Sequence, residues 1–230
     1  MRRGILYGVG VGPGDPELLT LKAARILKAA DVIAMPDKGS GEGTAEAIAG
    51  AYLAGKERLN CPTPMTRDRK VLEECYARSA DTLCALLDEG KTVAFITLGD
   101  PTVYSTYIYI HRLVVERGYE AELIPGVPSF CAAAAKLGVS LCQGEEKLLI
   151  VPASHDVTSW VDLPANQIYM KAGRKLGELQ ALLDQHGRLE GAMAVSNCGM
   201  ANEGVWPHFR DMAGDEGYFT VVFSPAGEGN

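Results

Sequence analysis

The run Gly4-Ile5-Leu6-Tyr7-Gly8-Val9-Gly10-Val11-Gly12-Pro13-Gly14-Asp15-Pro16-Glu17 constrains this chain more than any other segment. It reads as a buried strand breaking into a glycine-rich turn, after which Asp15 suits a helix N-cap and Pro16 a first helical residue. A strand, a loop without side chains and a helix start together let a ligand lie against bare backbone. The spacing argues against a dinucleotide loop. Counting from Gly8-x-Gly10 puts Pro13 where a third glycine belongs, and counting from Gly10-x-Gly12 puts Asp15 there. The Asp15 carboxylate would also sit at the helix start that a pyrophosphate needs. The segment describes a ligand loop that is not built for phosphate.

Through residue 142 the pattern alternates strand and helix. Leu18, Leu19, Ala23, Ile26, Leu27 and Ala30 recur at helical spacing, predicting a helix over 18–30. Asp31 to Met35 reads as a short strand ended by Pro36, followed by a Gly/Ser-rich loop from Gly39 to Gly43 and a helix from Thr44 to Leu53. A helix is predicted over 66–89 and ends at Gly90. Thr92 to Ile96 is a buried strand that runs into Leu98-Gly99-Asp100-Pro101, with a helix from about Val103 to Arg117. Glu120 to Ile124 is the next strand, ended by Pro125-Gly126, and an alanine-rich helix spans Ser129 to Leu137. Such an order predicts a parallel sheet with helices on both faces. Ligands of such sheets bind at the carboxyl ends of the strands. The turns at Gly10–Asp15, Gly99–Pro101 and Pro125–Ser129 all belong to that edge.

Beyond Cys142 the character changes. Lys147–Val151, Gln167–Met170, Met193–Ser196 and Phe219–Phe223 read as strands, with one helix over Leu176–Gln185, so a smaller mixed sheet is expected. Gln143-Gly144-Glu145-Glu146 is the expected linker, giving an N-terminal α/β domain over 1–142 and a C-terminal mixed α/β domain over 143–230.

A chain of 230 residues with a formal charge of −7 favours neither nucleic acid nor an anionic membrane as a partner, since both attract basic surfaces. The six cysteines (61, 75, 84, 131, 142 and 198) form no C-x-x-C pair, so reduced, mostly buried thiols are expected, with no metal centre. Arg2 and Arg3 precede an apolar stretch that glycines interrupt, which makes a poor signal peptide. No apolar run approaches the roughly 18 residues of a membrane span. A soluble, cytoplasmic protein is expected.

Gly10-Val11-Gly12-Pro13-Gly14-Asp15-Pro16-Glu17-Leu18-Leu19-Thr20 resembles the opening motif of the tetrapyrrole (corrin/porphyrin) methyltransferases. Leu98-Gly99-Asp100-Pro101 resembles their second motif, and Ile124-Pro125-Gly126-Val127-Pro128-Ser129 their third, in matching order and spacing. The similarity covers essentially the whole chain. Thr102-Val103-Tyr104-Ser105-Thr106-Tyr107 and Gly138-Val139-Ser140-Leu141-Cys142-Gln143-Gly144-Glu145 are most similar to the branch that methylates C20 of precorrin-2 or cobalt-precorrin-2 in cobalamin, and hence porphyrin-type, biosynthesis.

The resemblance implies two α/β domains with S-adenosylmethionine (SAM) in the cleft between them, S-adenosylhomocysteine as product, a tetrapyrrole substrate and a homodimer. By position it implies that Pro13 lies near the cofactor and that Leu98, Gly99 and Asp100 run along its methionine and ribose part. Val103 and Tyr104 follow at the start of the next helix, Ser129 and Phe130 match the third motif's contacts, and Met170 and the Gly199 region match contacts from the second domain. One departure matters. Relatives acting on uroporphyrinogen carry an Asp in a Tyr-Asp pair after the second strand, treated as a catalytic base; here Pro36 holds that position and Asp37 follows. That role is not transferred, and the catalytic residues stay unassigned.

The residue chemistry agrees with this reading and leaves alternatives open. Asp100 suits ribose hydroxyls or an amino group, and equally an N-cap before Pro101. Gly99 permits close backbone approach or a plain turn, Ser129 suits a cap, and Met170 alone would read as core. His111 reads as structural; His155, His186 and His208 as solvated. Tyr104, Tyr107 and Tyr109 would face different sides of a helix. Arg174 and Lys175 are candidates for meeting substrate carboxylates, and Asp37, Lys38 and Arg67 are similar candidates at the mouth of the cleft. From the residues alone, an NAD-dependent oxidoreductase or a non-catalytic nucleotide-binding module competes; within the family, methylation at C11, C17 or on uroporphyrinogen-III does.

Overall fold

The computed structural model describes residues 3–37, 43–213 and 217–226. Arg2, Lys38 and all but Gly43 of the expected Gly39–Gly43 loop lie outside the described residues, as does the side chain of Arg174. The chain divides into two compact units, Met1–Pro128 and Ser129–Asn230.

In the first unit, β1 (Leu6–Gly10), β2 (Val32–Asp37), β3 (Glu57–Pro62), β4 (Val93–Thr97) and β5 (Ala121–Ile124) form one sheet in the order β3-β2-β4-β1-β5. Every neighbouring pair is parallel. The helices are α1 (Leu21–Ala29), α2 (Thr44–Ala49), α3 (Arg69–Asp88) and α4 (Tyr107–Glu116). Alternation along β4 shows how they divide. Val93 and Phe95 join a core with Tyr76 and Leu83 of α3 and Tyr107 and Ile110 of α4. Ala94 and Ile96 join a second core with Ile26 and Leu27 of α1 and Ile48 of α2. The sheet is therefore covered on both faces, which is why its central strands read as continuous apolar runs.

In the second unit, α5 (Ser129–Leu137) precedes β6 (Leu148–Pro152), β7 (Asn166–Met170), α6 (Leu176–Gln185), β8 (Met193–Ser196), β9 (Gly204–Trp206) and β10 (Thr220–Ser224). Its sheet runs β6-β7-β10-β8-β9, with β6 parallel to β7 and the other pairs antiparallel. Leu176, Leu179 and Leu183 of α6 pack on Tyr169, Ala194 and Val222 from three of these strands, and Phe209 and Met212 complete that core.

Four expectations need correction. The sequence placed the division at 142/143, but α5 packs against β8 and β10 and so belongs with the second unit; the strand–helix rhythm simply continues through it and hides the change. The helix expected from Leu18 starts at Leu21. Asp15 instead caps a 3-10 turn over Pro16–Leu18, accepting the Glu17 N–H at 2.8 Å, and the Thr20 hydroxyl caps α1 by accepting the Ala23 N–H at 3.1 Å. The helix expected from Val103 starts at Tyr107, because Tyr104 takes φ 47°, a left-handed conformation that no helix residue adopts. Finally, β2 continues through Pro36 to Asp37. Pairing with β4 ends at Ala34 while pairing with β3 continues, so the proline's missing N–H falls where one side of the strand is already unpaired.

Candidate functional site

The first unit's carboxyl edge is made by backbone. β1 and β4 are paired in register up to Gly10 and Thr97, so the loops that follow them leave the sheet side by side. They then bond to each other: the Gly12 N–H donates to the Gly99 carbonyl at 3.3 Å, and the Gly99 N–H to the Gly12 carbonyl at 2.8 Å. Both glycines sit at positive φ, 80° and 68°. The loop after β5 closes on the same point. A Cβ added to Gly126 would lie 2.2 Å from the Gly99 carbonyl oxygen, and one added to Gly10 would lie 2.6 Å from it. The three motifs are thus packed backbone on backbone at one spot, which only glycine permits.

Asp100 holds this knot. One carboxylate oxygen accepts the buried Gly126 N–H at 3.0 Å; the other accepts the Thr102 N–H at 2.8 Å and the Thr102 hydroxyl. Only 8% of the residue is exposed. Asp100 is therefore no N-cap of α4, whose cap position is Thr106; it caps its own turn and ties the second motif to the third. Pro13 and Gly99 are buried at this edge, Leu98 and Val103 are half-buried, and Tyr104 is exposed. Val103 and Tyr104 lie in the turn before α4, not in its first turn. Asp37 ends β2 at the same edge, half-buried, and Arg67 is exposed on the segment before α3.

The second unit also has an edge of this kind. β7 and β8 both run antiparallel to β10, so they are parallel to each other and end together. Val221 of β10 faces Met170 on one side and Val195 on the other. Immediately beyond the two strands stand Lys171 with φ 59° and Asn197 with φ 48°. With Tyr104, these are the non-glycine residues at positive φ among the described residues. Strain of this kind persists where surrounding structure enforces it, and it gathers at working sites. Gly199 follows in the same turn at φ 77°, and its N–H donates to Glu203 Oε2 at 2.6 Å. That bond is the main cause holding the Glu203 carboxyl below its usual range. Ser129 and Phe130 open α5 in this unit, half-buried and buried.

The other candidates separate clearly. His111 bonds through Nδ1 to the buried Tyr107 hydroxyl at 3.1 Å, and burial lowers its pKa, so it is structural as expected. Tyr107 is core, while Tyr109 stacks on Tyr76 with centroids 5.3 Å apart. His155 and Lys175 line a cavity of about 150 Å3 beside β6, where Lys175 faces Asp156 and pairs with Glu178 at 4.0 Å. His208 is exposed, and His186, expected to be solvated, bonds to Asp162 at 2.5 Å. Sequence reasoning missed Thr102, Gly126 as the partner of Asp100, Lys171, Asn197 and Glu203. Thr102, two residues after Asp100, was the one local signal; the rest depends on pairing between distant segments.

The chain matches the family model of tetrapyrrole (corrin/porphyrin) methylases over residues 5–211. It is 40% identical over 72% of its length, and 71% of the relative's, to a probable cobalt-precorrin-2 C(20)-methyltransferase of Methanocaldococcus jannaschii. It is 32% identical to a precorrin-2 C(20)-methyltransferase of a Sinorhizobium species, over 96% of this chain and 95% of that one. Its fold matches the Thermus thermophilus uroporphyrin-III C-methyltransferase complexed with S-adenosylhomocysteine, with TM-score 0.69, 22% identity and coverage of 96% and 97%.

Proposed function

The chain belongs to the tetrapyrrole (corrin/porphyrin) methylases, and from that membership we propose that it methylates C20 of precorrin-2 or cobalt-precorrin-2 from SAM in cobalamin biosynthesis. The observation that carries this reading is the knot at the first unit's carboxyl edge. Three motifs spread over more than a hundred residues of chain meet there, held by the Asp100 carboxylate and by glycine backbones.

The residues at the two edges suit SAM, a cation with a long apolar flank. Among Pro13, Leu98, Gly99, Asp100, Val103, Tyr104, Ser129, Phe130, Met170 and Gly199 there is one carboxylate and no lysine or arginine. A sulfonium therefore meets no like charge from them. Leu98, Val103, Phe130 and Met170 offer apolar walls, and the turns offer backbone. We assign the first six to the cofactor in the first unit and the last four in the second. Bound SAM supplies an electrophilic methyl group on sulfur. The chain's own part is to bind, orient and exclude water, because these residues bring no free acid–base pair: the Asp100 oxygens are already engaged by Gly126 and Thr102. No base is assigned to Asp37. The cytoplasmic location and the homodimer belong to the same proposal; no helix among the described residues is long and apolar enough to cross a membrane. Analytical ultracentrifugation reads the dimer directly.

The test is an anaerobic assay with methyl-labelled SAM and precorrin-2, with the label located by carbon NMR. Label at C20 is the expected result. Transfer only with cobalt-precorrin-2 would fix the metal state of the substrate. Label at C11 or C17, or transfer to uroporphyrinogen-III instead, would overturn the branch while leaving the family intact.

A further inference from the structure

Three donors from two separate parts of the second unit converge on one carboxylate. Glu203 Oε2 accepts the Gly199 N–H at 2.6 Å, Oε1 receives the Lys136 ammonium at 3.0 Å, and the buried Cys198 thiol donates as well. Gly199 and Cys198 lie in the turn after β8; Lys136 lies in the last turn of α5, the helix that opens with Ser129 and Phe130. The turn itself is tight. Asn197 and Gly199 both take left-handed φ, the Met200 N–H closes onto the Asn197 carbonyl at 2.9 Å, and the Glu203 N–H onto the Met200 carbonyl at 3.1 Å. Glu203 therefore ends the turn, reaches back to its apex and joins that apex to the helix.

We propose that Glu203 is a positioning residue that fixes the Gly199 turn onto α5, so that the two segments of this unit assigned to the cofactor are set before it binds. The proposal rests on that assignment. A carboxylate is suited to the task because a charge-assisted bond to an N–H is about twice as strong as a neutral one. The Lys136 ammonium meanwhile holds the other oxygen toward the helix. Without the carboxylate, the Gly199 N–H turns to water and a strained turn loses its tie; the cofactor then has to order it on binding. Ordering one backbone residue is worth on the order of tenfold in affinity.

The test uses the full chain and two readouts. Amide hydrogen exchange at Gly199 in the ligand-free protein reads the tie, and calorimetric titration with S-adenosylhomocysteine reads its use. Glu203→Ala is expected to abolish protection of the Gly199 amide and raise the Kd about tenfold, with a melting temperature close to that of the parent. Glu203→Gln keeps an acceptor for Gly199 and is expected to recover most of the affinity. Lys136→Met is expected to leave Gly199 protected yet weaken binding by a smaller factor. Lost protection with unchanged affinity would overturn the proposal and leave Glu203 a local brace. Affinity that falls only in step with the melting temperature, with no rescue by Gln, would overturn it too. If the parent binds no S-adenosylhomocysteine, the cofactor reading falls and the proposal with it, even where the exchange data show the tie.

Discussion

The two units build the same kind of edge from opposite materials. In the first, parallel strands end in loops that approach each other so closely that no side chain fits: Gly10, Gly99 and Gly126 share a space that a single Cβ would fill. In the second, β7 and β8 are followed at once by Lys171 and Asn197, residues that carry side chains yet take left-handed backbone, and a carboxylate ties the turn after β8 down. The first edge gains its shape by omission and the second by bonds. Substitutions in the first should therefore act on the fold, and those in the second on affinity.

The largest effect is expected at Gly126. A Cβ there would meet the Gly99 carbonyl oxygen at 2.2 Å and the Gly10 backbone at 2.8 Å, neither of which can swing aside. Gly126→Ala should cost about 3 kcal/mol or more in urea unfolding, at the upper end for overpacking. Gly177, in the first turn of α6, supplies the contrast, since an added Cβ has nothing within 4 Å. Gly177→Ala should stabilise the chain by roughly 0.5 kcal/mol. Equal tolerance at both positions would break the comparison.

Asp100→Ala comes next. It leaves the Gly126 N–H buried without a partner, which costs roughly 1–3 kcal/mol. The melting temperature should fall by several degrees, on the order of 2–4 °C per kcal/mol for a chain of this size. Binding of S-adenosylhomocysteine should weaken along with it. Weakened binding at an unchanged melting temperature would instead make Asp100 a ligand contact alone, with no part in holding the knot.

A smaller effect is expected at His111. Burial lowers its pKa from 6.5, so the folded state binds this proton less readily than the unfolded chain. The stability that a neutral His111 contributes is therefore complete above about pH 6.5 and lost as the pH falls below it. His111→Gln should flatten that part of the urea-midpoint profile; a profile as steep as the parent's would assign the slope to other groups.

How much of this was legible follows from where the information sits. The bounds of α5, α6 and β8 were read correctly because an apolar face and its punctuation are local. β3 and β9 were not: β3 is an edge strand whose only fully buried side chain is Cys61, and β9 has three residues, none buried. An edge strand is defined by its neighbour's hydrogen bonds, which no local pattern reports. The same holds at the site. The glycines and Asp100 announced a special turn, but not that the carboxylate would serve Gly126, 26 residues away. Gly199 was carried over by resemblance, while Glu203, the side chain that fixes it, has no signature beyond being one glutamate among many. Positive φ at Tyr104 and Lys171 is likewise announced by neither side chain, whereas asparagine tolerates left-handed backbone and Asn197 offered a weak local hint.

The smallest expected effect asks whether that left-handed backbone serves the site. Asn197 takes φ 48°; its backbone N–H donates to the Phe219 carbonyl at 3.1 Å, and its side chain reaches the Asn202 carbonyl at only 3.4 Å. In Asn197→Gly the backbone bond stays and the left-handed conformation becomes easy, while the unfolded chain gains freedom; the two effects are each about 0.5–1 kcal/mol and oppose one another. Stability should therefore move by less than about 0.5 kcal/mol, with either sign. Affinity for S-adenosylhomocysteine should still fall a few-fold, because a glycine lets the turn wander from the shape that Glu203 and β10 impose. Unchanged affinity would mean that glycine serves at both edges, and the contrast between a site shaped by omission and one shaped by bonds would reduce to Glu203 alone.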